Sequence, residues 1–196
     1  FASQAKIEEL KTLTRTRETL VEHLKAHRLS YTTLQLESVK ESLQKVMDVL
    51  QTQIKVLEKA MLKLVKDLMP ELLEVQGIGL VLAATLLAEA GDVRRFRSQH
   101  AFAMFAGCAP VERSSGGCQR RQLNIGGNRR LNRTFHLLAI IRLRLDQDTK
   151  DYLTKKMTEG KTKRAALRCL KTHLARSIFR FMLSTMQQHP ERWLNP

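Results

Sequence analysis

The feature that most constrains the fold is a run of ten apolar residues spaced three or four positions apart. This spacing puts the apolar side chains on one face of an α-helix and is typical of a coiled coil. One extra four-residue step, between Leu50 and Ile54, is a stutter that locally unwinds a supercoil. The pattern predicts one long helix over 34–69, ended by Pro70, because the residue before a proline disfavours helical geometry. The ten residues are Leu36, Val39, Leu43, Val46, Leu50, Ile54, Leu57, Met61, Leu64 and Leu68.

A second amphipathic helix is predicted over 3–27, followed by a polar break around 27–33. The long helix can pair with this helix, with a second subunit, or with both, and the sequence leaves that choice open. Its apolar face is predicted to contain Ile7, Leu10, Leu13, Leu20, Val21 and Leu24.

The rest of the chain also predicts helices, so the fold class is all-α. We expect a coiled-coil-like dimerisation segment over 1–69, then a compact helical DNA-binding domain over 70–190 that contains a helix-hairpin-helix, and a loose tail over 191–196. Gly91 and Ser98 are expected as helix caps. Helices are expected at 80–90, 97–106, 128–145 and 162–187, with a non-periodic stretch over 111–128 and, over 146–151, a loop followed by a new start.

The charge of the chain points to nucleic acid. The net charge is +15, and the stretch 91–145 holds eleven arginines, no lysine and only two acidic residues, Asp92 and Glu112. The guanidinium fork matches two phosphate oxygens, so an excess made of arginine favours phosphate contacts. The alternative is a basic face that only contacts solvent.

Several classes of protein are disfavoured. The three cysteines, Cys108, Cys118 and Cys169, show no CxxC spacing, which argues against a disulfide framework or a zinc site and favours a reducing compartment. No stretch approaches the ~20 apolar residues of a membrane span. The histidines and acids show no metal-site spacing, and there is no phosphate loop. We expect a soluble intracellular protein with no metal site and no membrane partner. Because the chain begins at Phe1 without Met, we expect a fragment or a processed chain.

Two glycine-containing motifs are candidate phosphate sites. Gly77-Ile78-Gly79 follows the helix-hairpin-helix pattern, in which glycine lets the backbone approach a phosphate and amides at the next helix start bind it. A tight helix corner without a ligand is the alternative, and the acidic charge of 71–90 weakens the phosphate interpretation. In Gly127-Asn128-Arg129-Arg130, Asn128 is placed to cap a helix whose first turns carry Arg129, Arg130 and Arg133. A solvated helix start is the alternative there.

A third candidate is the basic stretch around Ser114 and Ser115, next to two glycines and near Arg113, Arg120 and Arg121. Arginines can offset charge that develops on a phosphate when a serine attacks it, but a serine hydroxyl needs activation. From the residues alone, an ordinary DNA-contacting loop is the favoured interpretation.

Taken in order, six motifs resemble the C-terminal domain of the bridge-RNA-guided insertion-sequence transposases, the IS-one-ten group that also includes the pilin-gene invertases. The preceding heptad helix resembles the coiled-coil segment of that group. Two positions depart from the pattern, Asn132 and Gly126, where basic residues are common. The motifs are Gly77-Ile78-Gly79, Gly91-Asp92, Arg95-Phe96, Gly107-Cys108-Ala109-Pro110, Ser115-Gly116 and Gly127-Asn128-Arg129-Arg130-Leu131.

The resemblance implies a function. In this group an N-terminal RuvC-like domain with four acidic residues binds Mg²⁺, and a serine of the C-terminal domain forms a covalent phosphoserine link to DNA. A structured guide RNA selects the DNA, and the composite site lies between subunits, which implies a homo-oligomer, a dimer or a tetramer. Ser115 matches the nucleophile, with Ser114 as the fallback. The resemblance places the protein in a prokaryotic cytoplasm, associated with the nucleoid, and implies that the Mg²⁺-binding domain is missing from this chain.

Two other functions remain open from the sequence. One is a non-enzymatic helix-hairpin-helix DNA-binding or scaffold module with a dimerising coiled coil. The other is an RNA-binding factor, which competition between duplex DNA and structured RNA distinguishes from a DNA-binding protein.

Overall fold

The computed structural model describes residues 2–115, 118–122, 124 and 126–193. This part of the chain confirms the all-α class, and none of its helices is both long and apolar enough to cross a membrane. Three short 3-10 helices lie at Pro70–Leu73, Val93–Arg95 and Pro190–Arg192. The α-helices are α1 (Ala2–Thr33), α2 (Glu37–Leu68), α3 (Leu80–Ala90), α4 (Gln99–Phe105), α5 (Arg129–Leu145), α6 (Gln147–Thr158) and α7 (Lys163–Gln188).

Helices α1 and α2 form an antiparallel pair joined by the short connection 34–36. The start of α1 packs with the end of α2, as Leu10 and Met61 share one core, while Leu24 packs with Met47 near the connection. The predicted polar break at 27–33 is wrong, since α1 continues to Thr33. Tyr31 still packs on the Leu24–Met47 cluster, and the Thr33 hydroxyl donates to a carbonyl of the preceding turn. Helix α1 is therefore the partner of α2 within the chain.

The buried face of α2 differs in part from the predicted stripe. Ile54, Met61, Leu64 and Leu68 are buried as expected. Val39 and Val46 are 41% and 45% exposed, whereas Met47 and Val65, which the heptad pattern omits, are buried. The long helix is confirmed. Its apolar stripe alone does not show which side of the stripe the partner helix will cover.

Helix α3 lies at the centre of the core. It packs on α1, α2 and α5, and small residues such as Ala83 and Ala84 let the neighbouring backbones approach closely. Phe102 of α4 packs with α5 and α7, with its ring 6.1 Å from that of Phe135 and 5.5 Å from that of Phe179. One continuous core thus holds Ile7 at one end of the chain and Trp193 at the other, and it crosses the expected domain boundary at residue 69.

The C-terminal segment is more ordered than expected. The predicted loose tail is wrong as far as Trp193, because that side chain is buried and Arg192 Nη1 lies 2.7 Å from Glu71 Oε1. Residues 194–196 of the expected tail lie outside the described residues. Of the loop and new start predicted over 146–151, the new start is confirmed, because α6 begins at Gln147. The loop is shorter than predicted, since only Asp146 separates α5 from α6, and the Thr149 hydroxyl donates to its carboxylate.

The stretch 111–128, expected to be irregular, contains a β-hairpin. Strand β1 (Val111–Ser115) pairs antiparallel with strand β2 (Cys118–Gln122), with Val111 opposite Gln122 and Ser115 opposite Cys118. Hydrophobic periodicity gives no signal for it, because Gly, Ser and Arg fill the positions where a half-buried strand would alternate.

Two glycines bring the end of α4 against the start of α5. Gly107 adopts φ +66°, which favours glycine. A Cβ on Gly127 would lie 2.3 Å from Gly107 Cα and 2.5 Å from its nitrogen, so the two backbones touch with no room for a side chain.

We expect Gly127→Ala to destabilise the protein by about 2 kcal/mol or more, because the added methyl meets backbone that cannot move aside. The free energy of unfolding from urea titration measures this. Gly126→Ala is the matched control, because the nearest atom to its added Cβ is Asn124 Oδ1 at 3.9 Å. Equal effects of the two substitutions would contradict the packing argument.

Candidate nucleic-acid interface

A basic cleft of about 920 Å³ lies between α5 and α7, with the turn from Gly107 to Pro110 along one side. None of the described residues that line it is acidic. Five cationic side chains and one histidine face one another there, which creates a strongly positive concave surface of the kind that attracts polyanions. They are Arg129, Arg133, His136, Lys161, Arg168 and Lys171.

Helical spacing explains how α5 and α7 supply five of these side chains, while Lys161 lies in the connection before α7. Arg129, Arg133 and His136 follow one another at intervals of four and three on α5, so they share one face. Arg168 and Lys171 are three residues apart on α7 and face them across the cleft. Charge is therefore present on both sides of the cleft.

Asn128 fixes where α5 begins. Its Oδ1 accepts hydrogen bonds from the backbone nitrogens of Arg130 and Leu131, both at 3.0 Å, which confirms the predicted N-cap. Its Nδ2 donates to Glu89 Oε2 at 2.8 Å, and its backbone nitrogen donates to the Phe105 carbonyl at 2.7 Å. The cap is thus tied to both α3 and α4.

Not all the predicted phosphate-binding arginines of α5 occupy the cleft. Arg129 is exposed and lines it. Arg130 instead hydrogen-bonds Glu18, and its Nε lies 3.7 Å from Glu89, whose side chain is only 6% exposed. Arg133 lines the cleft and also lies 3.1 Å from Glu18. DNA binding by these residues stays a prediction, and Arg130 has an evident structural role.

A short chain of hydrogen bonds links α7 to the turn beside the cleft. Lys171 Nζ donates to Asn132 Oδ1 at 2.6 Å, and Asn132 Nδ2 donates to the Gly107 carbonyl at 2.5 Å. The Thr172 hydroxyl donates to the Cys108 carbonyl at 2.6 Å. Burial lowers the pKa of Lys171 and raises that of the Cys108 thiol to about 12, so Cys108 is a packed thiol rather than a reactive one.

Both ends of the hairpin are attached to the end of α4. Cys108 and Ala109 donate their backbone nitrogens to the Ala103 carbonyl, and Asn124 Nδ2 donates to the Met104 carbonyl at 2.6 Å. Pro110, directly before β1, lines the cleft. The hairpin therefore starts at the edge of the basic surface.

The predicted nucleophile lies at the far end of this hairpin. Ser115 is the last paired residue of β1, opposite Cys118, and Ser114 is opposite Gln119. Ser115 is five residues beyond Pro110, about 16 Å along an extended strand. Gly116 and Gly117 lie outside the described residues. Ser115 and Ser114 both stay predictions.

The predicted hairpin arginines occupy paired positions. Arg113 is opposite Arg120, and Arg121 is opposite Glu112. Cross-strand partners are the closest neighbours on one face of a sheet, so the register concentrates basic positions within the hairpin.

The Gly77–Gly79 turn packs against α5. Gly77 has φ +85°, and a Cβ there would lie 3.2 Å from Leu138 Cδ1 and 3.3 Å from Arg142 Cγ. Arg142 Nε donates to the Gln76 carbonyl at 3.1 Å. The segment before the turn is a 3-10 helix, Pro70–Leu73, so the helix-hairpin-helix is not confirmed. Packing accounts for Gly77, and Gly79 precedes α3 with open space around it.

Several residues of the interface were not predicted: Glu18, His136, Lys161, Arg168 and Lys171. The α7 residues had a signal, since 161–171 contains five basic residues and no acid. Glu18 had none, because its contacts with Arg130 and Arg133 span more than 110 residues. Within the described ranges, no group of three or more His, Cys, Asp or Glu side chains is placed to hold a metal ion.

The central part of the chain is similar to a known family of proteins. Residues 69–154 match the family described as Transposase IS116/IS110/IS902 family. This range includes the Gly77–Gly79 turn, the hairpin and α5, and it confirms the predicted resemblance to the IS-one-ten group at that level. Helix α7, which supplies one side of the cleft, lies beyond it.

Three relatives carry similar names. The chain is 32% identical to the insertion element IS900 uncharacterized 42 kDa protein of Mycobacterium paratuberculosis, over 61% of the chain and 30% of that protein. It is 35% identical to the insertion element IS110 uncharacterized 43.6 kDa protein of Streptomyces coelicolor, over 51% of the chain and 25% of that protein. It is 47% identical to a probable family 20 transposase of Pseudomonas aeruginosa, over 25% of the chain and 14% of that protein. The match thus spans less than a third of each relative.

The bond between Asn128 and Glu89 can be tested by a charge change. Aspartate caps helices as well as asparagine does. In Asn128→Asp, however, an oxygen replaces the nitrogen 2.8 Å from Glu89 Oε2, so a donor to a buried carboxylate is lost and a like charge is added. We expect Asn128→Asp to lower the free energy of unfolding by about 2 kcal/mol.

A double-mutant cycle provides the control. In a Glu89→Gln background, Asn128→Asp should cost about 0.5 kcal/mol or less, because the Gln amide supplies a donor to the new carboxylate. The same loss in both backgrounds would show that the Asn128–Glu89 bond does not explain the effect.

Proposed function

We propose that this chain is part of an insertion-sequence DNA transposase and that its basic cleft binds the sugar-phosphate backbone of DNA. The observation that carries the proposal is the cleft itself, in which five cationic side chains converge and no described lining residue is acidic. The family match over 69–154 supports the enzyme class, and the net charge of +15 supports a polyanionic partner.

The side chains of the cleft suit phosphate for physical reasons. The arginine forks donate two parallel hydrogen bonds to one phosphate, and the lysines add point charges. Neutralising phosphates releases condensed counterions, which gives affinity that falls steeply with salt. Such binding positions DNA without selecting a sequence. Selection of the site would then come from a structured guide RNA, the second nucleic-acid partner in this proposal.

Ser115 is the proposed nucleophile, with Ser114 as the fallback. A bond forms between Ser115 Oγ and a DNA phosphorus while a phosphorus–oxygen bond to deoxyribose breaks. The hydroxyl proton passes to a base, and the released sugar oxygen takes up a proton. Attachment of the hairpin to the edge of the cleft supports this role, since DNA bound there would pass Pro110, which directly precedes the strand that carries Ser115.

The other half of the site is proposed to lie outside this chain. The described residues offer no ligand set for Mg²⁺, so the steps assigned here involve only the groups of this chain. An acidic RuvC-like domain is the proposed source of the Mg²⁺ site. The relatives are long enough to hold a further domain, since the matched region makes up 30% or less of their length.

An apolar stripe on α2 favours a homo-oligomer, and with it the scaffold interpretation as a second candidate. Val39, Val46, Val49 and Val56 are exposed and follow one another at intervals of seven, three and seven. This is the spacing of a coiled-coil seam. A DNA-binding scaffold would use this stripe for assembly and would need neither Ser114 nor Ser115.

Neutralising one cationic residue of the cleft should weaken DNA binding. For Arg129→Gln and Arg168→Gln we expect about fivefold weaker binding to a short duplex and a salt slope smaller by about one, because each change removes one phosphate contact. Fluorescence anisotropy across a salt series measures both. Arg28→Gln, at an exposed site far along α1, is the charge-matched control. Equal effects at all three sites would show that net charge, not the cleft, binds DNA.

The serine is tested by covalent capture of DNA. With the complete protein, its guide RNA and Mg²⁺, Ser115→Ala should bind DNA normally and form no covalent protein–DNA adduct on a denaturing gel. Ser114→Ala is the control and should retain the adduct. Adduct formation that persists in Ser115→Ala and disappears in Ser114→Ala would move the role to the neighbouring serine. Persistence in both would overturn the assignment of either serine as nucleophile, whereas absence of any adduct with the unaltered protein would favour the scaffold interpretation.

A further inference from the structure

A carboxylate on α1 reaches the arginines at the start of α5. Glu18 Oε1 lies 3.1 Å from Arg133 Nη1, and Glu18 Oε2 accepts a hydrogen bond from Arg130 Nη1. One acidic side chain of the helical pair is thus shared between two arginines in the first turns of α5. The contacts join positions more than 110 residues apart in the chain.

The two arginines are held differently. Arg130 does not line the cleft, and besides Glu18 it approaches the buried carboxylate of Glu89. The Arg133 side chain is 59% exposed, and Glu18 is its one acidic partner among the described residues. Arg133 lines the basic cleft and also a groove of about 250 Å³ that contains Glu18. Arg133 is therefore the cation that lies between the basic cleft and the groove that contains Glu18.

The local charge balance makes Arg133 easy to release. Among the described residues, Arg15, Arg130 and Arg133 pair with two carboxylates, Glu18 and Glu89. If Arg133 turns into the cleft, Arg130 still neutralises Glu18, and no carboxylate is left without a cation. An exposed ion pair is also weak, whereas a guanidinium and a phosphate form two parallel hydrogen bonds.

We infer that Glu18 competes with DNA phosphate for Arg133, so that α1 sets the affinity of the cleft. The inference rests on the proposed function, because it needs DNA in the cleft. Phosphate binding draws Arg133 away from Glu18, and the Glu18 contact in turn limits phosphate binding. By linkage, the same coupling acts in both directions, so DNA binding loosens the contact between α1 and α5.

The experiment measures binding of a fluorescein-labelled 30-base-pair duplex to the 196-residue chain across a salt series. Glu18→Gln should bind about threefold more tightly, the size expected for release of an exposed ion pair, with a salt slope larger by about 0.9 for one added phosphate contact. Glu22→Gln is the matched control. It removes the same charge one turn further along α1, where Glu22 pairs with Lys25 at 3.9 Å and does not contact Arg133.

Two further variants identify the cause. In an Arg133→Gln background, Glu18→Gln should give no gain, because the released cation is absent. Glu18→Asp keeps the charge but shortens the side chain by one methylene, so it should also tighten binding if reach to Arg133 is what matters. Glu18→Asp also serves as the test if Glu18→Gln fails to fold by circular dichroism.

Three results would overturn the inference: unchanged or weaker binding by Glu18→Gln, an equal gain in Glu22→Gln, or a gain that persists without Arg133. Failure of the proposed function gives a different result. In that case the unaltered chain shows no salt-dependent DNA binding, or shows binding that Arg168→Gln does not weaken. Competition between Glu18 and DNA phosphate for Arg133 is then excluded together with the proposed function. Salt-dependent binding that Arg168→Gln weakens but Glu18→Gln leaves unchanged overturns the competition alone.

Discussion

The hydrogen bond between Asn128 and the buried carboxylate of Glu89 is the interaction on which the interface depends. It holds the amide so that its oxygen caps α5, and the cap fixes the residue at which that helix begins. In the helix that begins there, Arg129 and Arg133 line the cleft, while Arg130 contacts the carboxylates of Glu18 and Glu89. A buried carboxylate needs compensation, which Asn128, Arg15 and Arg130 supply together. Arg130 is thus held by carboxylates and stabilises the fold, whereas the neighbouring Arg129 stays at the surface of the cleft.

The close approach of Gly107 and Gly127 places this arrangement beside the hairpin. Backbone contact at that point leaves room only for hydrogen, and the carbonyls at the end of α4 accept bonds from both sides of the hairpin. Packing thereby explains Gly107 and Gly127, which belong to two of the motifs that resemble the transposase family. Asn132, which departs from the family pattern, links Lys171 of α7 to the Gly107 carbonyl.

Local signals predicted much of the fold. The heptads predicted α2, and the residue types at Ser98 and Asn128 predicted helix caps, because these features depend on neighbours within a few positions. The extent of α1 was missed, since its last turns are stabilised by packing on α2 rather than by their own pattern. The candidate site was predicted in part. Arg129 and Arg133 belong to a motif, but Glu18 and Lys171 meet them only after distant helices pack.

The antiparallel pair of α1 and α2 has a mechanical consequence. Its near end is part of the main core, and its far end is held together by the small cluster around Leu24, Met47 and Ile54. From Leu20 to Thr33 the rise of a helix gives about 20 Å, so this part of the pair is an arm that extends beyond the main core. Glu18 lies next to the point where this arm joins the main core. A force that displaces the α1–α2 connection would therefore also displace the carboxylate that contacts Arg133.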